Sequence, residues 1–121
     1  MASQSEDLKQ RTKLFALNVI KTLRFLPKNE ETRVMGRQLL RSATSVAANY
    51  RAVCRARSHQ EFVSKIGTVV EEADETVFWL EMLLETNNLT KDSAQSLLAE
   101  AQELLAIFGA SQRTAKANRK P

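Results

Sequence analysis

Apolar side chains return every three to four residues along most of this chain, and the phase breaks at three places. The first periodic stretch runs from about Glu6 to Leu26, with Leu8, Thr12, Phe15, Val19, Thr22 and Leu26 on one stripe and Leu17 and Ile20 off it. Alternating steps of four and three give an α-helix with one buried face. Ser5 is the candidate N-cap, and Pro27 forces the stop because the residue before a proline avoids helical backbone angles. A second helix is predicted from Asn29, a good N-cap, to about Arg57, with Leu39, Ala43, Val46, Tyr50 and Val53 inward. Ser42, Ala43, Ser45, Ala47 and Ala48 keep it slim, so a neighbour can approach closely.

The third helix opens at Ser58. In Ser58-His59-Gln60-Glu61 the serine can accept the Glu61 amide while the Glu61 side chain reaches back, a capping box. Its stripe is Phe62, Ile66, Val69, Ala73, Leu80 and Leu83, ending near Asn87-Asn88. The turn between helices 2 and 3 is predicted to be nearly of zero length, so the two must fold back on each other to cover their stripes. A fourth helix starts at Thr90, carries Ala94, Leu97, Leu98, Ala101, Leu104, Leu105 and Phe108, and fades beyond Gly109. Residues 113–121 read as a basic, disordered tail. The expectation is an all-α, antiparallel up-down-up-down four-helix bundle over 1–112.

Composition agrees. Within 121 residues there are 3 Gly and 2 Pro, too few breakers for anything but long helices, and one domain's worth of chain. The single cysteine, Cys54, cannot form an internal disulfide, which fits a reducing cytoplasm, and no apolar run approaches a membrane span. The expected location is cytoplasmic, with no membrane partner.

Charge is segregated by element. The net charge is +3 over 1–27, +5 over 28–57, −6 over 58–85, −2 over 86–112 and +4 over 113–121. At 100° per residue, Arg33, Arg37, Arg41, Arg51 and Arg55 share the side of helix 2 opposite Val46. Such a line of guanidinium groups can track a phosphate backbone by bidentate contacts and counterion release. The alternative is ion pairing with the acidic third helix: a hairpin turning at 57–58 sets Arg41 near Glu72 and Glu75, Arg55 near Glu61, and Arg33 near Glu81 and Glu85. The tail cations Arg113, Lys116, Arg119 and Lys120 are further candidates for phosphate contact. Aromatic interleaving is missing, since Tyr50, the only aromatic of helix 2, faces the core.

Leu17 and Ile20 on helix 1, and Phe78, Trp79 and Met82 on helix 3, lie off the core stripes. A second apolar face implies self-association or a protein partner, unless the stripe is rotated and these residues are core. No catalytic set is found. The acids Glu71, Glu72, Asp74 and Glu75 lack the Glu-x-x-His partners of a di-metal bundle, so neither a metal nor any other cofactor is expected. The only histidine, His59, sits exposed in the first turn of helix 3. Cys54 lacks a histidine partner and reads as a small packed residue.

The run Arg11-Thr12-Lys13-Leu14-Phe15-Ala16-Leu17, the block from Gly36 to Arg51 with its Arg41-Ser42-x-Thr44-Ser45-Val46-x-x-Asn49 centre, Ala56-Arg57-Ser58 with Glu61-Phe62 and Lys65, and Glu72-Ala73-Asp74-Glu75-Thr76 leading to Trp79-Leu80 resemble the bacterial 23S rRNA intervening-sequence proteins. These are four-helix bundles, some of them encoded within insertions in the large-subunit ribosomal RNA gene. The resemblance covers about residues 8–110; many relatives have glycine where this chain has Ala43 and Ala47. It implies a left-handed bundle, a homopentameric ring and no established reaction. A related accessory protein of diversity-generating retroelements is a basic pentamer that works with a reverse transcriptase and nucleic acid. The resemblance therefore implies RNA or DNA, or a protein such as a reverse transcriptase, as partners beside the chain itself. A ribosomal role is not implied, because that label follows gene position.

Overall fold

The computed structural model describes residues 3–118, which form four helices: α1 (Gln4–Leu23), α2 (Glu30–Val53), α3 (His59–Glu85) and α4 (Lys91–Ala117). Each packs against its neighbours in sequence, and α4 closes back on α1. The backbones of the diagonal pairs α1–α3 and α2–α4 stay apart, and α2 and α4 meet where the rings of Tyr50 and Phe108 enter the core. The result is an antiparallel four-helix bundle whose richest contacts are α2–α3 and α3–α4 and whose thinnest seam is α1–α4.

The stripes meet in one core. Leu39, Val46, Ile66, Val69, Leu80, Leu83, Leu104 and Phe108 are sealed from solvent, and the Tyr50 ring lies 5.1 Å from that of Phe108. Burying each such aliphatic or aromatic side chain contributes about 1.5–3 kcal/mol against the entropy of ordering the chain. Small residues bring α2 and α3 together: Ser42 and Ala43 are fully buried, and Thr76 of α3 donates to the Ser42 hydroxyl at 2.9 Å. Ser42 in turn donates to the Leu39 carbonyl at 3.3 Å, so neither buried hydroxyl is orphaned.

The caps hold the ends. Asn29, Ser58 and Thr90 each accept the amide three residues on, at 2.8, 3.0 and 3.2 Å. For α1 the cap is Ser3, which accepts from Glu6, and not Ser5, so the helix starts earlier than expected. At Ser58 the reach-back of Glu61 lands on the Arg57 amide at 3.3 Å, one residue before the cap. At the end of α3, Asn87 takes φ 62°, and the Asn87 and Asn88 amides donate to the carbonyls of Leu84 and Leu83. This is a Schellman close, with asparagine in the left-handed position usually given to glycine. Asn88 is buried and accepts from the Asn29 side chain at 2.8 Å, tying the α3–α4 turn to the start of α2.

Three boundaries differ from the pattern. α1 stops at Leu23, four residues before Pro27. α2 stops at Val53, which leaves five residues, 54–58, to turn the chain where almost none were expected. α4 does not fade at Gly109 but continues to Ala117, so the boundary expected at 112 falls within a helix. One glycine costs a helix only about 1 kcal/mol, and Ala110, Gln112, Arg113, Ala115 and Lys116 are good helix formers. Tertiary contacts add to this: Ala115 is buried, and its carbonyl accepts from His59 Nε2 at 2.9 Å.

Candidate nucleic-acid interface

Arg33, Arg37, Arg41 and Arg51 are exposed on the outer side of α2, and Arg55 is exposed in the turn that follows it. They do not share one electrostatic fate. Arg41 reaches across to α3, where Nη1 lies 3.2 Å from Glu72 and Nη2 bonds Glu75. Gln38 accepts from Arg41 Nε at 3.1 Å, a third contact on the same guanidinium. Arg33 pairs with Glu30 on its own helix, not with Glu81 or Glu85. The expected Arg55–Glu61 pair is absent among the described residues: α2 ends before Arg55, and the Glu61 carboxylate is turned to the Arg57 amide. Arg37, Arg51 and Arg55 have no carboxylate within salt-bridge distance among the described residues.

Two of these cations, Arg37 and Arg51, stand beside those of α1 and its connection. Arg24, Lys28, Arg33 and Arg37 line a groove of about 880 Å³ at the α1–α2 corner, over an apolar floor that includes Leu23, Leu26 and Leu40. Thr32, also on its wall, carries a buried hydroxyl oxygen without a hydrogen-bond partner. A second groove, about 570 Å³, runs between the same two helices and is lined by Lys13, Arg51 and the ion pair of Lys9 with Glu6 (2.9 Å), together with Leu17, Ile20, Ala47 and Ala48. Two sets of residues that the sequence separated, basic and apolar, thus share one face. Arg113 and Lys116 are exposed on the last turns of α4, while Arg119 and Lys120 lie outside the described residues.

The opposite side is acidic. Glu75 accepts from the Trp79 indole at 3.1 Å and from Arg41, and together these hold its carboxyl below the usual carboxylate range. That bond keeps Trp79 half-buried, and Trp79 and Met82 both pack against the core, so of the three candidate interface residues on α3 only Phe78 is exposed. Its ring meets Trp79 edge to face at 4.8 Å. Cys54 is exposed, not packed, because the chain leaves α2 there. Burial pushes the neighbouring Tyr50 phenol up, so it stays neutral. Among the described residues no group of three His, Cys, Asp or Glu is placed to hold a metal ion, and no helix is long and apolar enough to cross a membrane.

Two connections were missed by the sequence reading. Arg11 of α1 forms a fork with Glu100 of α4 at 2.7 and 2.8 Å and also reaches Glu103 at 2.8 Å, bridging the thinnest seam. Hydrogen bonds to Glu100 and then Glu103 push its pKa still higher than an arginine's usual value. The available signal was the pair Glu100 and Glu103 at i, i+3, flanking the Leu97–Leu104 stripe. Phe25, 87% exposed in the α1–α2 connection, was likewise passed over, because the helix was extended through it.

The sequence model of the 23S rRNA-intervening sequence proteins matches residues 4–110. The chain belongs to that family. A crystal structure of a family member from Bacteroides thetaiotaomicron, described as a protein with unknown function from the S23 ribosomal protein family, superposes with a TM-score of 0.79 at 31% identity. The match covers 86% of this chain and 96% of that one. No curated protein matches the chain. The family match spans all of α1, α2 and α3 and most of α4, so the basic face and its grooves lie on the shared bundle.

Proposed function

We propose that the protein is a non-enzymatic, self-associating bundle that binds RNA or DNA without sequence preference through the α1–α2 face. The observation that carries this reading is the set Arg37, Arg51 and Arg55, exposed and without a carboxylate partner among the described residues, the first two beside grooves that also hold Arg24, Lys28 and Lys13. Unpaired guanidinium groups keep their full capacity for bidentate phosphate contact, and each phosphate neutralised releases counterions. Arg41 is excluded from this role, since Glu72 and Glu75 already occupy it. Arg113 and Lys116 extend the cationic surface on α4.

Self-association draws support from two separated apolar patches. Leu17, 45% exposed, has Lys13 and Lys21 one turn to either side; Phe78, 48% exposed, has Asp74 and Glu81. The two helices concerned stand at diagonal corners of the bundle, so the patches face different directions, and their flanking charges are opposite. Contact between unlike patches gives a head-to-tail assembly that closes as a ring, for which the resemblance to the family sets five copies. Multiple copies would turn weak phosphate contacts into avidity.

Filter binding at low salt tests the reading. Wild-type protein is expected to retain RNA and DNA and to release them as salt rises, with a log–log slope of roughly −2 to −3 for three phosphate contacts at about 0.7–0.9 each. The double variant Arg37→Glu/Arg55→Glu should lose retention. Absence of retention, or affinity indifferent to salt, refutes the proposal. A protein-docking role centred on Phe78 is the second reading, favoured by that ring's exposure; there the arginine reversals would leave partner binding intact and Phe78→Ala would remove it.

A further inference from the structure

The α1–α2 connection carries an aromatic ring that the bundle does not use. Phe25 is far more exposed than any other large apolar side chain among the described residues. Its position is set locally: the Phe25 and Leu26 amides donate to Thr22 and Leu23 at 3.1 and 3.4 Å, a tightened last turn that closes α1 before Pro27. The tightening takes Phe25 off the helix and away from the core. Cations surround it in sequence and space. Lys21, Arg24 and Lys28 flank it, and none of them, nor Arg37, has a carboxylate within salt-bridge distance among the described residues. Phe25 lines a depression with Lys21, and Leu26 and Pro27 form a wall shared with the 880 Å³ groove of Arg24, Lys28 and Arg37.

An exposed aromatic face between free cations is the arrangement by which single strands are held: the base stacks on the ring while neighbouring phosphates take the charges. In a duplex the bases are stacked on one another and offer the ring no face. Phe25 stands on one side of the Leu26–Pro27 wall and the 880 Å³ groove on the other, so a strand crossing the wall can set a base on the ring and its next phosphates among Arg24, Lys28 and Arg37. We propose that this corner binds a single-stranded segment of nucleic acid, with one base stacked on Phe25 and the adjoining phosphates on Arg24, Lys28 and Arg37. This rests on the nucleic-acid reading above and adds to it a strandedness and a place.

Fluorescence anisotropy at low salt, with a dye-labelled 12-nucleotide single strand and its loop-free, blunt-ended duplex as probes, tests it on the full chain. Phe25→Leu keeps the apolar bulk and removes the π face; it is expected to weaken single-strand binding about 10-fold and leave the duplex unchanged. Phe25→Trp should restore single-strand binding. Because Phe25 lies outside the helices and the core, both variants should keep the wild-type circular dichroism. Unchanged single-strand affinity in Phe25→Leu, or equal losses for single strand and duplex, overturns the stacking site while the basic face stands. A change in the mass of the assembly in Phe25→Leu also overturns it, by placing Phe25 between copies. If wild-type protein binds neither probe, the nucleic-acid reading itself fails.

Discussion

Replacing Arg11 removes the one charged bridge, among the described residues, across the seam where the bundle is thinnest. Arg11 presents its fork to Glu100 in two parallel bonds and shares Nη2 with Glu103; Arg11 and Glu100 are each about one-third exposed, while Glu103 is largely solvated at 63%. A simple surface ion pair is worth about 0.2–1 kcal/mol. The bidentate, half-desolvated geometry with Glu100 puts this one near the top of that range, and Glu103 adds little because water competes for it. Arg11→Met, which keeps the aliphatic stem against the helix, is therefore expected to cost about 1 kcal/mol, or roughly 3–5 °C in Tm for a domain of this size. A double-mutant cycle with Glu100→Gln isolates the pair, and its coupling should account for most of that loss, with Glu103→Gln contributing only a few tenths of a kcal/mol. Urea unfolding at low salt measures it, and the coupling should shrink in high salt. A coupling below about 0.3 kcal/mol for Arg11 with Glu100 would show that the seam is held by apolar contact alone, and the argument from burial and fork geometry would be wrong.

Two further outcomes follow from the same geometry. Glu75 is held charged by Trp79 and Arg41, so its folded pKa lies below the unfolded one and its contribution is present above the ordinary carboxylate range and lost as pH falls through the depressed value; the stability gap between wild type and Glu75→Gln should be constant near neutral pH and close in acid, as followed by urea titrations from pH 7 to 3. His59→Ala removes the donor to the Ala115 carbonyl, and hydrogen exchange should report lost protection over 111–117 with the core amides of α2 and α3 unchanged.

Much of the bundle was legible because the α-helical period and the caps are local. The stripes of α1 and α2 around Phe15, Val19, Leu39 and Tyr50 fall where spacing puts them, and Asn29, Ser58 and Thr90 cap as their side chains dictate. Errors arose where a local signal was outvoted by packing. Gly109 looked like a stop, but the helix formers beyond it gain a buried Ala115 and a bond from His59. Pro27 was read as the end of α1, whereas the tightened turn at Thr22–Leu26 ends it earlier and exposes Phe25. Hairpin arithmetic placed Arg41 beside Glu72 and Glu75, where it is, but failed for Arg55 because the turn has five residues and spends them outside either helix. Arg11 escaped notice since its main partner, Glu100, is 89 residues away, a distance no helical period reports. The joining of Lys9, Lys13 and Arg51 with Leu17 and Ile20 in one groove depends on how α1 lies on α2, which only packing decides.

Size exclusion coupled to light scattering, run with and without a short single-stranded RNA, bears most directly on the proposed role. A mass of about five 13.6 kDa chains that increases when RNA is added is the result the account predicts. A single-chain mass that RNA leaves unchanged would contradict both the head-to-tail patches and the basic face.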